Sequence, residues 1–135
     1  MTDLSLIPEI TDKKVCQRAV KRLRELNVTL PTLTELADPS RIPAAQQAIL
    51  ASVGADEAVA ANLWRVHWFN DEARTGRVDV PGYLVLPEAL TGVKAKIVVA
   101  LGDRFPMIGA HKVLAAYGCL VPRLVSGNGR RTCSL

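Results

Sequence analysis

The 135-residue chain has few aromatic residues and few cysteines. Only 4% of its residues are aromatic, so any core must be built mainly from the aliphatic side chains that bring the hydrophobic share to 49%. Its three cysteines, Cys16, Cys119 and Cys133, are odd in number, widely spaced and form no Cys-x-x-Cys pair. This pattern argues against a disulfide-rich secreted scaffold and predicts reduced thiols in the cytoplasm.

The chain also lacks a long apolar run, a strong charge excess and a cluster of metal ligands. No apolar stretch approaches the length of a membrane span, and Asp3 and Glu9 interrupt the N-terminal residues, so we predict neither a membrane helix nor a secretory signal. The formal charge of +4 is modest and spread out, which does not by itself imply nucleic-acid binding. His67 has no partner at metal-ligand spacing, so no metal site is expected.

Residues 1–61 have the pattern of a helical N-terminal extension. Apolar residues at helical spacing predict a helix over residues 12–26, with basic side chains on its other faces. Thr32 and Glu35 have the spacing of a capping box and predict a second, short helix. Pro43 suits the first turn of a third helix. The basic face could contact phosphates, but a solvated face is the more frequent outcome.

Residues 62–70 hold both tryptophans and one of the two histidines. Trp64 and Trp68 alternate with polar side chains at the period of two that predicts a strand. Three interpretations compete: a strand that docks the extension on the following domain, a surface that faces a substrate, and an aromatic platform for nucleic acid. Docking is the most frequent outcome, and we prefer it.

The second half of the chain is organised around a strand, a loop and a helix. Residues 97–101 form an apolar, β-branched run that predicts a buried strand, and residues 83–86 predict a shorter one. A helix is expected to begin at His111 and to end near Gly118, which places Lys112 at a helix N-terminus. A desolvated lysine beside the positive end of a helix acts as a nucleophile for carbonyls, and the same helix end can hold a phosphate. These properties suit a Schiff base with pyridoxal phosphate.

The residues that close this loop, Gly109-Ala110-His111-Lys112, match a known motif residue for residue. The segment resembles the fold-type-II pyridoxal-phosphate enzymes, the group of the tryptophan synthase β chain and cysteine synthase. In the tryptophan synthase β branch, a strand and an Asp-containing loop are followed by Gly-Ala-His-Lys. Over residues 86–123 the chain is most similar to a bacterial subgroup described as cysteine-synthase-like.

The resemblance implies an α/β fold. Residues 1–61 are then a helical extension, and residues 62–135 are the start of a domain that binds pyridoxal 5′-phosphate and is incomplete at its C-terminus. It implies Lys112 as the catalytic residue that binds the cofactor covalently and moves the α-proton, with His111 and Gly109 beside the cofactor. It also implies an amino-acid substrate, a β-elimination or β-replacement reaction of the cysteine synthase type, and a homodimer in the complete enzyme.

Length limits what this chain can do alone. A fold-type-II enzyme has two α/β domains, each of about 100 residues or more, whereas few residues follow Lys112. Residues 126–129, Ser-Gly-Asn-Gly, superficially resemble the asparagine loop of the family, but they lie too close to Lys112 for the helix and strand between. We therefore expect an N-terminal fragment that is inactive as this short chain. Two alternatives are a non-enzymatic truncated remnant and a small basic binding module that uses residues 12–26 and 62–70.

Overall fold

The computed structural model describes residues 10–126. They divide into two compact units, residues 10–29 with 115–126 (the terminal unit) and Leu30–Leu114 (the central unit). The predicted domain boundary after residue 61 falls inside the central unit, and it stays a prediction. Residues 127–129 of the Ser-Gly-Asn-Gly segment, and Cys133, lie outside the described residues.

Helices dominate the described chain, and a small sheet accompanies them, which agrees with the predicted α/β class at that coarse level. The helices and strands are α1 (Lys13–Glu25), α2 (Leu33–Ala37), α3 (Ala44–Leu50), β1 (Tyr83–Leu86), α4 (Glu88–Thr91), β2 (Ile97–Ala100) and α5 (Lys112–Ser126). Two 3₁₀ turns lie at Pro39–Arg41 and Ala60–Arg65. Among residues 10–126, no helix combines the length and apolarity that crossing a bilayer requires. Cys16 and Cys119 are free thiols.

The terminal unit joins the start of α1 to the end of α5. The carboxylate of Asp12 caps α1 by accepting the backbone N–H groups of Lys14 and Val15 at 2.9 and 3.1 Å. The carbonyl of Ser126 accepts the N–H groups of Thr11 and Asp12 at 3.0 and 3.2 Å. The helix predicted over residues 12–26 is confirmed to within one residue at each end.

Local signals also place α2 and α3 correctly. Thr32 Oγ1 accepts the N–H of Glu35 at 3.2 Å, and the Glu35 carboxylate accepts the N–H of Thr32 at 2.7 Å, so the predicted capping box is present. Pro43 precedes the first residue of α3, where its missing N–H costs no hydrogen bond.

The predicted buried strand is an exposed one. Strands β1 and β2 form a two-stranded antiparallel sheet, with Tyr83, Leu84, Val85 and Leu86 opposite Ala100, Val99, Val98 and Ile97. Val98 is 52% exposed and Leu84 is 54% exposed. Neighbouring residues of a strand point to opposite faces, and both faces of this hairpin are open among the described residues. The β-branched run correctly predicted a strand. The strand is not buried, because no layer of the described residues covers its faces.

Helix α5 is longer than the sequence predicts. It continues through Gly118 and Pro122 to Ser126. Glycine and proline each weaken a helix without forbidding it. Burial of Tyr117 and the hydrogen bonds to the Ser126 carbonyl favour the continuation.

Residues 62–70 form no strand; they are a buried, polar part of the central unit. Ala60–Arg65 is a 3₁₀ turn, and Asn62, Arg65, His67 and Asn70 are buried beside apolar residues of the core. The amide of Asn62 donates to the carbonyls of Gly54 and Glu57, both at 2.8 Å. The prediction of a strand was wrong because these side chains bond to backbone oxygens that other loops leave open.

Arg65 explains why a charged residue is buried here. Its guanidinium donates to the carbonyls of Leu50 and Val53 at 2.8 Å each, and to the side-chain oxygen of Asn62 at 2.7 Å. Leu50 is the last residue of α3, where backbone carbonyls have no partner inside the helix, and Val53 lies in the turn that follows. Burial lowers the pKa of Arg65 from its ordinary value, although the charges of Asp71 and Glu57 oppose the shift.

Candidate functional site

Helix α5 begins at Lys112, one residue after the predicted start at His111, so Lys112 lies at the helix N-terminus as predicted. Its side chain is exposed rather than desolvated, because small neighbours such as Ala110 cannot cover a long side chain. With the other described residues Lys112 forms no ion pair. The amine is therefore accessible to a small electrophile. The cofactor role of Lys112 stays a prediction.

The loop before Lys112 is held at several points. Phe105 and Pro106 are buried, and the N–H of Met107 donates to the carbonyl of Ala55 at 2.8 Å. Met107 and Gly109 have φ values of 65° and 58°, in the left-handed region. Glycine takes this conformation without strain, so Gly109 suits the turn that leads the chain into α5.

His111 contacts two residues that are distant in sequence. Its ring stacks on Trp68, with centroids 5.7 Å apart and an interplanar angle of 24°. Its backbone N–H donates to the carbonyl of Gly102 at 2.8 Å. A Cβ atom at Gly102 would overlap the His111 ring, so this close approach requires glycine. Trp68 in turn meets Phe105 edge-on, with centroids 5.2 Å apart.

Two arginines lie near this loop, and both are paired. Arg74 forms a bidentate ion pair with Asp56, at 2.6 and 2.9 Å. Arg104 reaches Glu72 at 3.3 Å. The carboxylates are exposed, so each pair adds little stability, but each guanidinium already has a counter-charge.

His67, the other histidine, is a buried structural residue. Burial, together with the positive charges of Arg77 and Arg65, lowers its pKa to about 4, although a backbone hydrogen bond opposes the shift. Its Nδ1 accepts the N–H of Phe69 at 3.2 Å, which requires the neutral ring. The part of the chain that the structure describes contains no group of three or more His, Cys, Asp or Glu side chains arranged to hold a metal.

A cleft of about 180 Å³ lies elsewhere in the central unit, and Lys112 is not part of it. Asp38, Ser40, Phe69 and Arg77 are among its lining residues. Hydrogen bonds from Ser40 and Arg41 lower the pKa of Asp38. Because these bonds engage the carboxylate, Asp38 acts as the cap of a 3₁₀ turn.

The structure thus places Gly109, His111 and Lys112 of the motif at the N-terminal end of α5. It adds Trp68 and Gly102, which sequence reasoning did not assign to the site. A glycine directly after an apolar strand was the available signal for Gly102. Nothing in the spacing of the sequence linked Trp68 to His111. Trp64 is buried, so its ring offers no exposed face to a base, and the interpretation of residues 62–70 as an aromatic platform for nucleic acid stays a prediction.

Comparison of the chain with protein-family models, with curated proteins and with solved structures finds no match in any of the three.

Proposed function

We propose that the chain is part of a pyridoxal-phosphate-dependent amino-acid enzyme of fold type II, and that Lys112 binds the cofactor aldehyde. The observation that carries the proposal is the placement of the matching motif. Gly109-Ala110-His111-Lys112 spans the end of a fixed loop and the first residue of a 15-residue helix, with the lysine exposed.

The residues present fit part of such a site. Lys112 offers an accessible amine, and the left-handed turn at Gly109 allows a ligand to approach the backbone closely. His111 is exposed and its ring is held in place, at a helix end that favours anions such as a phosphate. When bound, pyridoxal phosphate supplies an electron sink for carbanion chemistry.

The chain's own contribution to the reaction is the Lys112 amine. With the cofactor present, this amine would hold its aldehyde, and once the amino group of the substrate had displaced it, the free Nζ would carry a proton to or from the substrate α-carbon. The proposed reaction is β-elimination or β-replacement on an amino acid, in the cytoplasm. The sequence has no counterpart of the family's glycine-rich phosphate loop or of its partner for the pyridine nitrogen, so this chain alone is expected to bind the cofactor weakly.

Reductive labelling tests the assignment of Lys112. The 135-residue chain is incubated with pyridoxal 5′-phosphate, reduced with borohydride and mapped by mass spectrometry. We expect Lys112 to be labelled several-fold more than Lys94 or Lys96, which precede β2 and lie outside the loop–helix junction.

Lys112→Arg should abolish the label at this position, because a guanidinium stays protonated and cannot attack the aldehyde. Lys94→Arg is the matched control and should leave the labelling of Lys112 unchanged. Equal labelling of Lys94, Lys96 and Lys112 in the natural sequence would contradict the proposal.

The basic face of α1 supports a second candidate, a small module that binds a polyanion. Its basic side chains are exposed, and its first turn has no acidic residue. Two of them, Lys21 and Arg22, already pair with Glu25. Binding to a DNA duplex that weakens steeply with salt, and that Lys13→Gln with Lys14→Gln reduces, would favour this function.

A further inference from the structure

The contacts of His111 suggest how the start of α5 is kept in place. We propose that Trp68 is a positioning residue: by holding the His111 ring, it fixes the first turn of α5 and thereby the position of the Lys112 amine. The inference rests on the proposed function of Lys112, since it concerns how that lysine is presented to an aldehyde.

The first step of the argument is that α5 needs an external hold at its start. Histidine is not among the residue types that cap helix N-termini well. Its position is fixed instead by the backbone bond to the Gly102 carbonyl and by the stack on Trp68. The carbonyl of His111 in turn accepts the N–H of Leu114 at 3.0 Å, which closes the first turn.

The second step is that His111 and Lys112 move together. Their Cα atoms are separated by one peptide unit, about 3.8 Å, so a shift of the His111 backbone displaces the base of the lysine side chain by a similar distance. A displacement of about 1 Å is enough to change the rate of a reaction that depends on orientation.

The third step is that Trp68 is itself held. Its edge packs against Phe105, which is 1% exposed, and Asn70, two residues further on, is buried. The amide of Asn70 donates to the carbonyls of Arg65 and His67 at 2.8 and 2.9 Å. The indole is therefore a fixed support rather than a mobile surface ring.

The test uses four variants: two that disturb the stack from its two sides, one that keeps an aromatic ring at residue 68, and one matched control. Trp68→Leu removes the ring that His111 stacks on, whereas Trp68→Phe keeps an aromatic face there. Gly102→Ala places a methyl group where it overlaps the His111 ring, and so displaces the ring without changing Trp68. Gly118→Ala is the matched control, because a Cβ at Gly118 meets nothing within 4 Å.

The first readout is the labelling of Lys112 relative to Lys94 by pyridoxal 5′-phosphate and borohydride. We expect this ratio to fall about threefold to tenfold in Trp68→Leu and Gly102→Ala, in line with the loss of one orienting contact. It should recover at least in part in Trp68→Phe, and it should be unchanged in Gly118→Ala. Thermal unfolding of each variant establishes that it is folded.

The second readout is the NMR spectrum of the two histidines, His67 and His111. The His111 ring signals should show the ring-current shift of a stacked indole, and this shift should disappear in Trp68→Leu. Since this measurement involves no cofactor, it reports on the stack even if the proposed function is wrong.

The outcomes are distinguishable. A folded Trp68→Leu variant with an unchanged labelling ratio overturns the positioning role and leaves the function of Lys112 standing. If Trp68→Leu does not fold, an equal ratio in Gly102→Ala and Gly118→Ala overturns it instead. Absence of preferential Lys112 labelling in the natural sequence refutes the proposed function and the positioning role together. An absent ring-current shift refutes the stack and with it the positioning role of Trp68, and leaves the function of Lys112 to the labelling experiment.

Discussion

Two segments of the central unit reverse the usual relation between polarity and burial. Asn62 and Arg65 are 0% and 4% exposed, whereas Leu84 and Val98 of the β1–β2 hairpin are more than half exposed. The difference lies in the partners that each segment finds. The polar side chains meet backbone oxygens at the ends of other elements, while both faces of the hairpin lack a covering layer among the described residues. In these two segments, burial follows the available partners more closely than it follows apolar content.

The largest effect is expected from Arg65→Leu. The substitution removes three hydrogen bonds, and the Val53 carbonyl and the side-chain oxygen of Asn62 lose this donor, while the Leu50 carbonyl keeps the N–H of Val53. We expect the free energy of unfolding to fall by about 3–5 kcal/mol, because hydrogen bonds to a charged group contribute about 1.5–3 kcal/mol each and a buried acceptor left without a donor adds a desolvation cost. Urea denaturation followed by circular dichroism measures the change.

Arg41→Leu is the control for this prediction. Arg41 is exposed and pairs with Asp38 at the surface, so its loss should change stability by less than about 1 kcal/mol. Similar effects of the two substitutions would show that the buried hydrogen bonds of Arg65 stabilise the fold no more than the surface ion pair of Arg41 does.

Lowering the pH is expected to decrease the free energy of unfolding by a somewhat smaller amount. The pKa of His67 is lowered from 6.5 to about 4 in the folded chain, so folding favours the neutral ring. Its contribution to stability is complete above pH 6.5 and decreases as the pH falls toward 4, because the unfolded chain then binds a proton that the folded chain does not. The total loss is about 3 kcal/mol.

The measurement is the urea midpoint as a function of pH between 7 and 4. In His67→Phe, the decrease over this interval should become shallower, because the variant has no buried imidazole to protonate. An unchanged slope in His67→Phe would assign the acid sensitivity to other groups.

The smallest effect on stability is expected in the hairpin. Leu84→Thr and Val98→Thr replace exposed apolar side chains by a β-branched polar one, so the free energy of unfolding should change by no more than about 0.5 kcal/mol. Aggregation at high concentration, measured by light scattering, should decrease, because exposed apolar strands with open edges associate. The two residues lie on opposite faces of the hairpin, so a loss of about 2 kcal/mol in either variant would indicate that the face of that residue is covered.

The elements that sequence reasoning predicted well depend on neighbours in the chain. The capping box of Thr32 and Glu35 and the start of α5 at Lys112 each follow from residues a few positions apart. The alternation of Trp64 and Trp68 with polar residues is equally local, yet it was misleading. Asn62 and Arg65 find their partners at residues 50–57, and no pattern within the segment encodes those partners.

In the candidate site, too, local features were predicted and tertiary contacts were not. The motif itself identified Gly109 and Lys112 as site residues. The exposure of Lys112 does not, because the apolar character of its neighbours says nothing about whether they cover it. The contact between Trp68 and His111 depends on the tertiary fold, and so does the close approach of Gly102. The sequence therefore predicted that Lys112 lies at a helix N-terminus, but it did not predict which residues hold that helix end in position.

The hydrogen bonds to the Ser126 carbonyl also set an order of events during synthesis. Thr11 and Ser126 are 115 positions apart, and their contact closes a loop that contains nearly all of the described chain. The entropy cost of such a closure is lower once the intervening residues are already compact. Synthesis proceeds from the N-terminus, so the hydrogen bonds between Thr11 and Ser126 cannot form until all the residues between them have been made. The central unit can fold during that interval, and the contact between the start of α1 and the end of α5, within the terminal unit, forms afterwards.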